Sequence, residues 1–69
     1  MVDVEEVFGV LAEKVWSTLK ENGNLTVGEI AKLASLSREE AMAGLGWLAR
    51  ENKIRIEYHG KKRHYSLNE

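Results

Sequence analysis

Two features of the sequence predict an α+β domain built as three helices followed by a two-stranded hairpin. Residues 25–48 carry two successive helix-start signatures, Thr26-Val27-Gly28-Glu29 and Ser37-Arg38-Glu39-Glu40. Each places a hydroxyl where it accepts a hydrogen bond from a free amide of the first turn, with a Glu three residues on that can reach back. After Asn52 the apolar spacing changes: Ile54, Ile56 and Tyr58, then Tyr65 and Leu67, alternate with polar residues in the manner of strands. A short helix, a tight turn and a second helix form a helix-turn-helix, an architecture that in small chains points towards DNA.

The first helix is expected from Val4, because Val4, Val7, Phe8, Leu11, Ala12, Val15 and Leu19 recur on one face at the 3.6-residue period. Asp3 suits its start, as a cap and as a negative charge at the positive end of the dipole. Asn22-Gly23-Asn24 ends it, Gly23 supplying a left-handed cap. Leu25 is then a single extended residue and a candidate third strand. The second helix is expected over residues 27–34, burying Ile30, Ala31 and either Leu33 or Ala34. Ser35 occupies the left-handed turn position where glycine is common, and Leu36 plugs the space between helices. The third helix is expected from Arg38 to about Glu51 with Ala41, Leu45 and Leu48 inward, closed by Asn52. In the hairpin, a Gly60-Lys61 tip puts glycine at the first central position, as a type II′ turn requires. That tip pairs His59 with Lys62, Tyr58 with Arg63, Glu57 with His64, Ile56 with Tyr65 and Ile54 with Leu67. Apolar residues then share the inner face, while Glu57 faces His64 on the outer. Three helices and a hairpin in this order make a winged helix-turn-helix, a single domain over residues 1–69.

Sixty-nine residues lie near the lower limit for a core that folds without staples. Without cysteine, disulfides and thiolate metal sites are excluded, and a reducing cytoplasm is the expected setting. No segment approaches the ~18 consecutive apolar residues that span a bilayer. Asp3, Glu5 and Glu6 are the opposite of a signal peptide's basic start, so no membrane partner is expected. A net charge of −1 argues against strong nonspecific binding to nucleic acid, yet the charge is unevenly spread. Residues 1–52 hold five Lys/Arg against nine Asp/Glu, whereas residues 53–69 hold five against two. The result is an acidic helical body with a basic hairpin.

The run Glu13-Lys14-Val15-Trp16, then Leu19, Asn22-Gly23 and Leu25-Thr26-Val27, followed by residues 45–54 (LGWLARENKI), resembles a family of small prokaryotic winged helix-turn-helix domains of unknown function. The resemblance covers nearly the whole chain, with Gly46-Trp47-Leu48-Ala49-Arg50-Glu51-Asn52-Lys53 its most specific part. It implies the fold, a stand-alone domain and a homodimer, and no established activity. More broadly, residues 36–56 are similar to the DNA-reading half of many bacterial and archaeal repressors.

As a reader of the major groove the third helix is poorly furnished. Its outward arc is Glu39, Ala43, Gly46 and Arg50, flanked by Met42 and Trp47. Base discrimination needs Arg, Lys, Asn or Gln at base edges, and carboxylates at the groove-entering end are repelled by phosphates. Arg38 is placed to touch phosphate, and the hairpin clusters Arg55, His59, Lys61, Lys62, Arg63 and His64, as phosphate-contacting wings do. The same basic residues would also protect an exposed strand edge from pairing. Arg63 should stack on Tyr58. Trp16 reads as peripheral core. Trp47 is harder to bury within one subunit, and mid-helix Gly44 and Gly46 imply close approach by a partner subunit, the wing or a DNA backbone.

The expected nucleic-acid-binding residues are therefore Arg38, Arg55, His59, Lys61, Lys62 and Arg63, acting on double-stranded DNA. The expected self-association surface is Met42, Gly44, Gly46 and Trp47. The leading expectation is a transcription-regulator-like DNA-associated protein that contacts backbone mainly through the wing; the alternative is a dimerisation module without DNA binding. No catalytic constellation is apparent, so no enzyme activity, cofactor, metal or small-molecule ligand is expected.

Overall fold

The computed structural model describes residues 1–69, in the order α1 (Val4–Asn22), α2 (Val27–Ala34), α3 (Arg38–Arg50), β1 (Ile54–His59) and β2 (Lys62–Leu67). The local chemistry of each helix start is as the sequence implies. Asp3 caps α1, accepting from the Glu5 amide at 3.0 Å. Both capping boxes are closed: the Glu29 amide donates to Thr26 Oγ1 and the Thr26 amide to Glu29 Oε1. Ser37 and Glu40 make the equivalent pair. Ser35 takes the left-handed conformation at φ 57°, ψ 43°, turning the chain between α2 and α3.

The wing has the expected register at every pair, from Ile54↔Leu67 to His59↔Lys62. Gly60 at φ +67°, with no positive φ at Lys61, fits the type II′ turn. Leu25 adds one bridge to the outer edge of β2: its amide donates to the Tyr65 carbonyl at 3.0 Å, and the Tyr65 amide donates back at 2.7 Å. This bridge fixes the start of α2 beside the wing, which matters for the site described below.

The core is Ala12, Val15 and Leu19 of α1, Leu25, Ile30 and Ala31 of α2 and its approach, Ala41, Leu45 and Leu48 of α3, and Tyr65 of β2. Of the two alternatives on α2, Ala34 is half-buried and Leu33 is exposed. Two apolar faces extend past the core. At 1.5 Å per residue, the 19 residues of α1 run to about 28 Å and the 13 of α3 to about 20 Å, so the first turns of α1 outreach their cover. Val4, Val7 and Phe8 accordingly remain exposed. Ile56 and Tyr58 are exposed for a similar reason, since the distal half of the hairpin projects from the body.

Gly44 requires a correction. It is buried, and a Cβ placed there would lie 2.8 Å from the Leu11 carbonyl oxygen and 2.8 Å from Val15 Cγ2. The close approach implied by this glycine is made by α1 of the same chain, so Gly44 belongs to no intermolecular surface. Trp47 is also largely accommodated within the chain: it is half-buried, and its ring stacks on Phe8 with centroids 6.3 Å apart. Gly46, by contrast, faces open space with nothing within 4 Å of a Cβ.

The Thr26–Glu29 box also carries a pH signature. The Thr26 backbone amide, then its hydroxyl, and at longer range His64 and Lys62, hold the Glu29 carboxyl below its ordinary value of 4.5. A carboxyl lowered on folding contributes stability that is complete above its unfolded pKa and disappears as pH falls through the folded one. Thermal melts should therefore show a loss of stability beginning below about pH 4.5, smaller in Glu29→Gln, which no longer titrates.

Candidate nucleic-acid interface

The α2 start, the first turn of α3 and the wing tip enclose an open groove of about 540 Å³. Thr26, Val27 and Gly28 form one wall, Arg38 and Met42 a second, and Lys61, Lys62, Arg63 and Tyr65 the third. The fold supplies each of these positions. The Leu25–Tyr65 bridge sets the first wall against the wing, the Ser37 cap starts α3 so that Arg38 points outward, and the Gly60 turn lifts Lys61 and Lys62 above the body.

Four cations thus face one depression lined by no carboxylate, in a chain whose net charge is −1. Arg38, Lys61 and Lys62 make no ion pair and no side-chain hydrogen bond; the ion pairs Lys20–Glu69 and Lys53–Glu51 and the His59–Glu57 contact all lie elsewhere. Glu29, which feels Lys62 and His64 at longer range, is committed to its capping box and does not line the groove. Arg63 is held differently. Its Nη1 donates to Tyr65 Oη at 3.2 Å, and its guanidinium sits 6.0 Å from the Tyr58 ring centroid. The Tyr65 hydrogen bond, followed by the charges of Tyr65 and Tyr58, raises the Arg63 pKa above the usual guanidinium value.

The groove brings together four of the six residues expected to meet nucleic acid. Arg55 and His59 lie outside it: Arg55 pairs with Ser66 towards the base of the hairpin, while His59 is 4.0 Å from Glu57 and 4.4 Å, ring to ring, from His64. His64 is half-buried, with Nδ1 lacking a hydrogen-bond partner. No group of three or more His, Cys, Asp or Glu side chains converges as metal ligands would. Sequence reasoning missed the first wall and Tyr65. The available signal was Gly28, a residue without a side chain immediately inside a capping box; a Cβ there would come within 3.7 Å of Arg38 Nη1. Met42, expected on a self-association surface, is exposed and lines this groove among the cations.

A family profile described as "Winged helix-turn-helix domain (DUF2582)" matches residues 2–67. The chain belongs to this family. Among solved structures the chain is similar to protein BT2368 of Bacteroides thetaiotaomicron, whose solution structure superposes with a TM-score of 0.85 at 35% identity, covering 91% of this chain and 77% of that one. Two more distant folds are similar. The Zalpha domain of Carassius auratus PKZ, solved in complex with Z-DNA, gives a TM-score of 0.76 at 23% identity over 87% of this chain and 95% of its own. The antimony-specific transcriptional repressor AntR gives 0.70 at 24% identity over 96% of this chain and 63% of its own. No curated protein sequence matches the chain. The DUF2582 domain is thus a winged helix whose structural neighbours include DNA-binding and transcription-regulating proteins, and it has no helix long and apolar enough to cross a membrane.

Proposed function

We propose that this DUF2582 domain is a DNA-associated, transcription-regulator-like protein that grips the phosphate backbone between its wing and the start of α3. The observation that carries the reading is the unpaired set Arg38, Lys61 and Lys62 around one groove free of carboxylates. Solvated cations without protein partners exchange counterions for phosphates readily, which is the main source of sequence-independent affinity. The Z-DNA complex of the Carassius auratus domain and the repressor role of AntR support the reading at the level of fold. Fluorescence titration with a short labelled duplex at low salt tests it. Binding is expected, and Lys61→Glu with Lys62→Glu should weaken it about a hundred-fold or more, since two attractive contacts become repulsive. Absence of binding, or indifference to the double reversal, removes the proposal.

Self-association as a homodimer is a second reading, favoured by a separate observation. Val4, Val7 and Phe8 are exposed at helical spacing on the overhanging end of α1, beside the half-buried Trp47. The occupant we assign is a second copy, with the two α1 helices antiparallel about a twofold axis between Val7 and Phe8. That arrangement sets Asp3, Glu5 and Glu6 opposite the uncharged Ala12, Val10 and Gly9 of the other copy, whereas a parallel pair would oppose acid to acid. Gly46 and Trp47 would border this contact; Gly44 has no part in it. Sedimentation velocity at micromolar concentration should show a dimer that Val7→Asp converts to monomer. A wild-type monomer would end this reading and leave the DNA proposal untouched.

A further inference from the structure

The groove contains one side chain that phosphate attraction does not explain. Met42 is 42% exposed and lines the groove with Arg38 and the wing cations, while Val27 and the buried Tyr65 ring complete an apolar floor. Building on the proposal of DNA binding, we infer that this floor seats the deoxyribose of a single strand, with Met42 against the sugar and Arg38, Lys61 and Lys62 on the flanking phosphates, so that the domain takes DNA without reading its bases.

The match is chemical. A nucleic-acid strand alternates an apolar sugar face with anionic phosphates, and the groove alternates an apolar floor with cationic rims. Base edges, in contrast, must be met by directional donors and acceptors. Beyond Met42 the outward arc of α3 offers half-buried Ala43 and exposed Gly46, neither of which carries any; Glu39 adds only an acceptor whose charge phosphates repel, and the Met thioether is only a weak acceptor. Arg50, the remaining cation of α3, lies about two turns along the helix beyond Met42, outside the groove. Contacts to sugar and phosphate fix position and carry no sequence information directly.

The test uses the full chain, two short duplexes of equal length, one rich in A·T and one in G·C, and tripolyphosphate as an anion that lacks sugar. Wild-type protein should bind the two duplexes within about three-fold of each other. Met42→Ser should weaken both about ten-fold, the scale of losing one buried apolar side chain, and Met42→Leu should restore them. The salt slope should not change in Met42→Ser, because it counts phosphates, and tripolyphosphate should bind wild type and Met42→Ser alike. Full-affinity DNA binding by Met42→Ser overturns the inference while leaving the basic groove in place, as does a preference above ten-fold for one duplex. Loss of binding in Lys61→Glu with Lys62→Glu reports on the proposed function separately, so the two failures are distinguishable.

Discussion

Replacing Gly44 with alanine should lower stability, and replacing Gly46, two residues later on the same helix, should raise it. In a solvated helix interior both changes gain about 1 kcal/mol, because alanine restricts the unfolded chain and glycine does not. At Gly46 nothing stands within 4 Å of the new methyl, so this gain is retained. At Gly44 the methyl meets the Leu11 carbonyl oxygen and Val15 Cγ2, each at 2.8 Å. Val15 is completely buried and the carbonyl is helix backbone, so neither can rotate away. Relief requires α1 and α3 to separate, and overpacking of this kind costs about 1–3 kcal/mol. Net of the alanine gain, the Gly44→Ala protein is expected to be destabilised by up to about 2 kcal/mol. At roughly 4–8 °C per kcal/mol in a domain of this size, a gap of about 2 kcal/mol between the two variants separates their melts by about 10 °C. Gly44→Leu should not fold at 37 °C. A Gly44→Ala melt at or above wild type would show that the helices do not cross at this residue.

The contrast between these glycines marks where sequence reasoning stops. The inward set Ala41, Leu45 and Leu48, the Ser35 turn, both capping boxes and the complete hairpin register were legible, because each depends on local chemistry or on a period fixed by backbone geometry. Gly44 was legible as a point of close approach, but the identity of the approaching group depends on how α1 crosses α3, and periodicity carries no crossing position. The surroundings of Trp47 depend on the same crossing. Its angle on α3 lies off the core, yet the overhang of α1 brings Phe8 alongside it.

The site divides in the same way. Sequence indicated a basic wing together with Arg38 at the start of α3, and four of the six expected residues share a groove. Alternation alone could not separate Arg63, folded back onto Tyr65, from Arg55 at the hairpin base. The first wall of the groove comes from the Leu25 bridge, a contact between residues forty positions apart, which places Thr26, Val27 and Gly28 against the wing.

DNA affinity should fall about 40- to 150-fold between 50 and 200 mM salt, as expected when three or four phosphates displace their counterions and log K falls with a slope near −0.9 per phosphate. The range in the count reflects Arg63, whose guanidinium is already bonded to Tyr65, against Arg38, Lys61 and Lys62, which have no partner to surrender. Arg38→Gln should therefore reduce the slope by about one unit, and so should Lys61→Gln or Lys62→Gln. Arg55→Gln and His59→Gln should leave it unchanged, since one lies towards the base of the hairpin and the other is set against Glu57 and His64. This comparison distinguishes a groove from a diffuse basic patch. In a patch every wing cation would contribute similarly, and Arg55→Gln would flatten the salt dependence as much as Lys61→Gln; in a groove, only the residues that line it do.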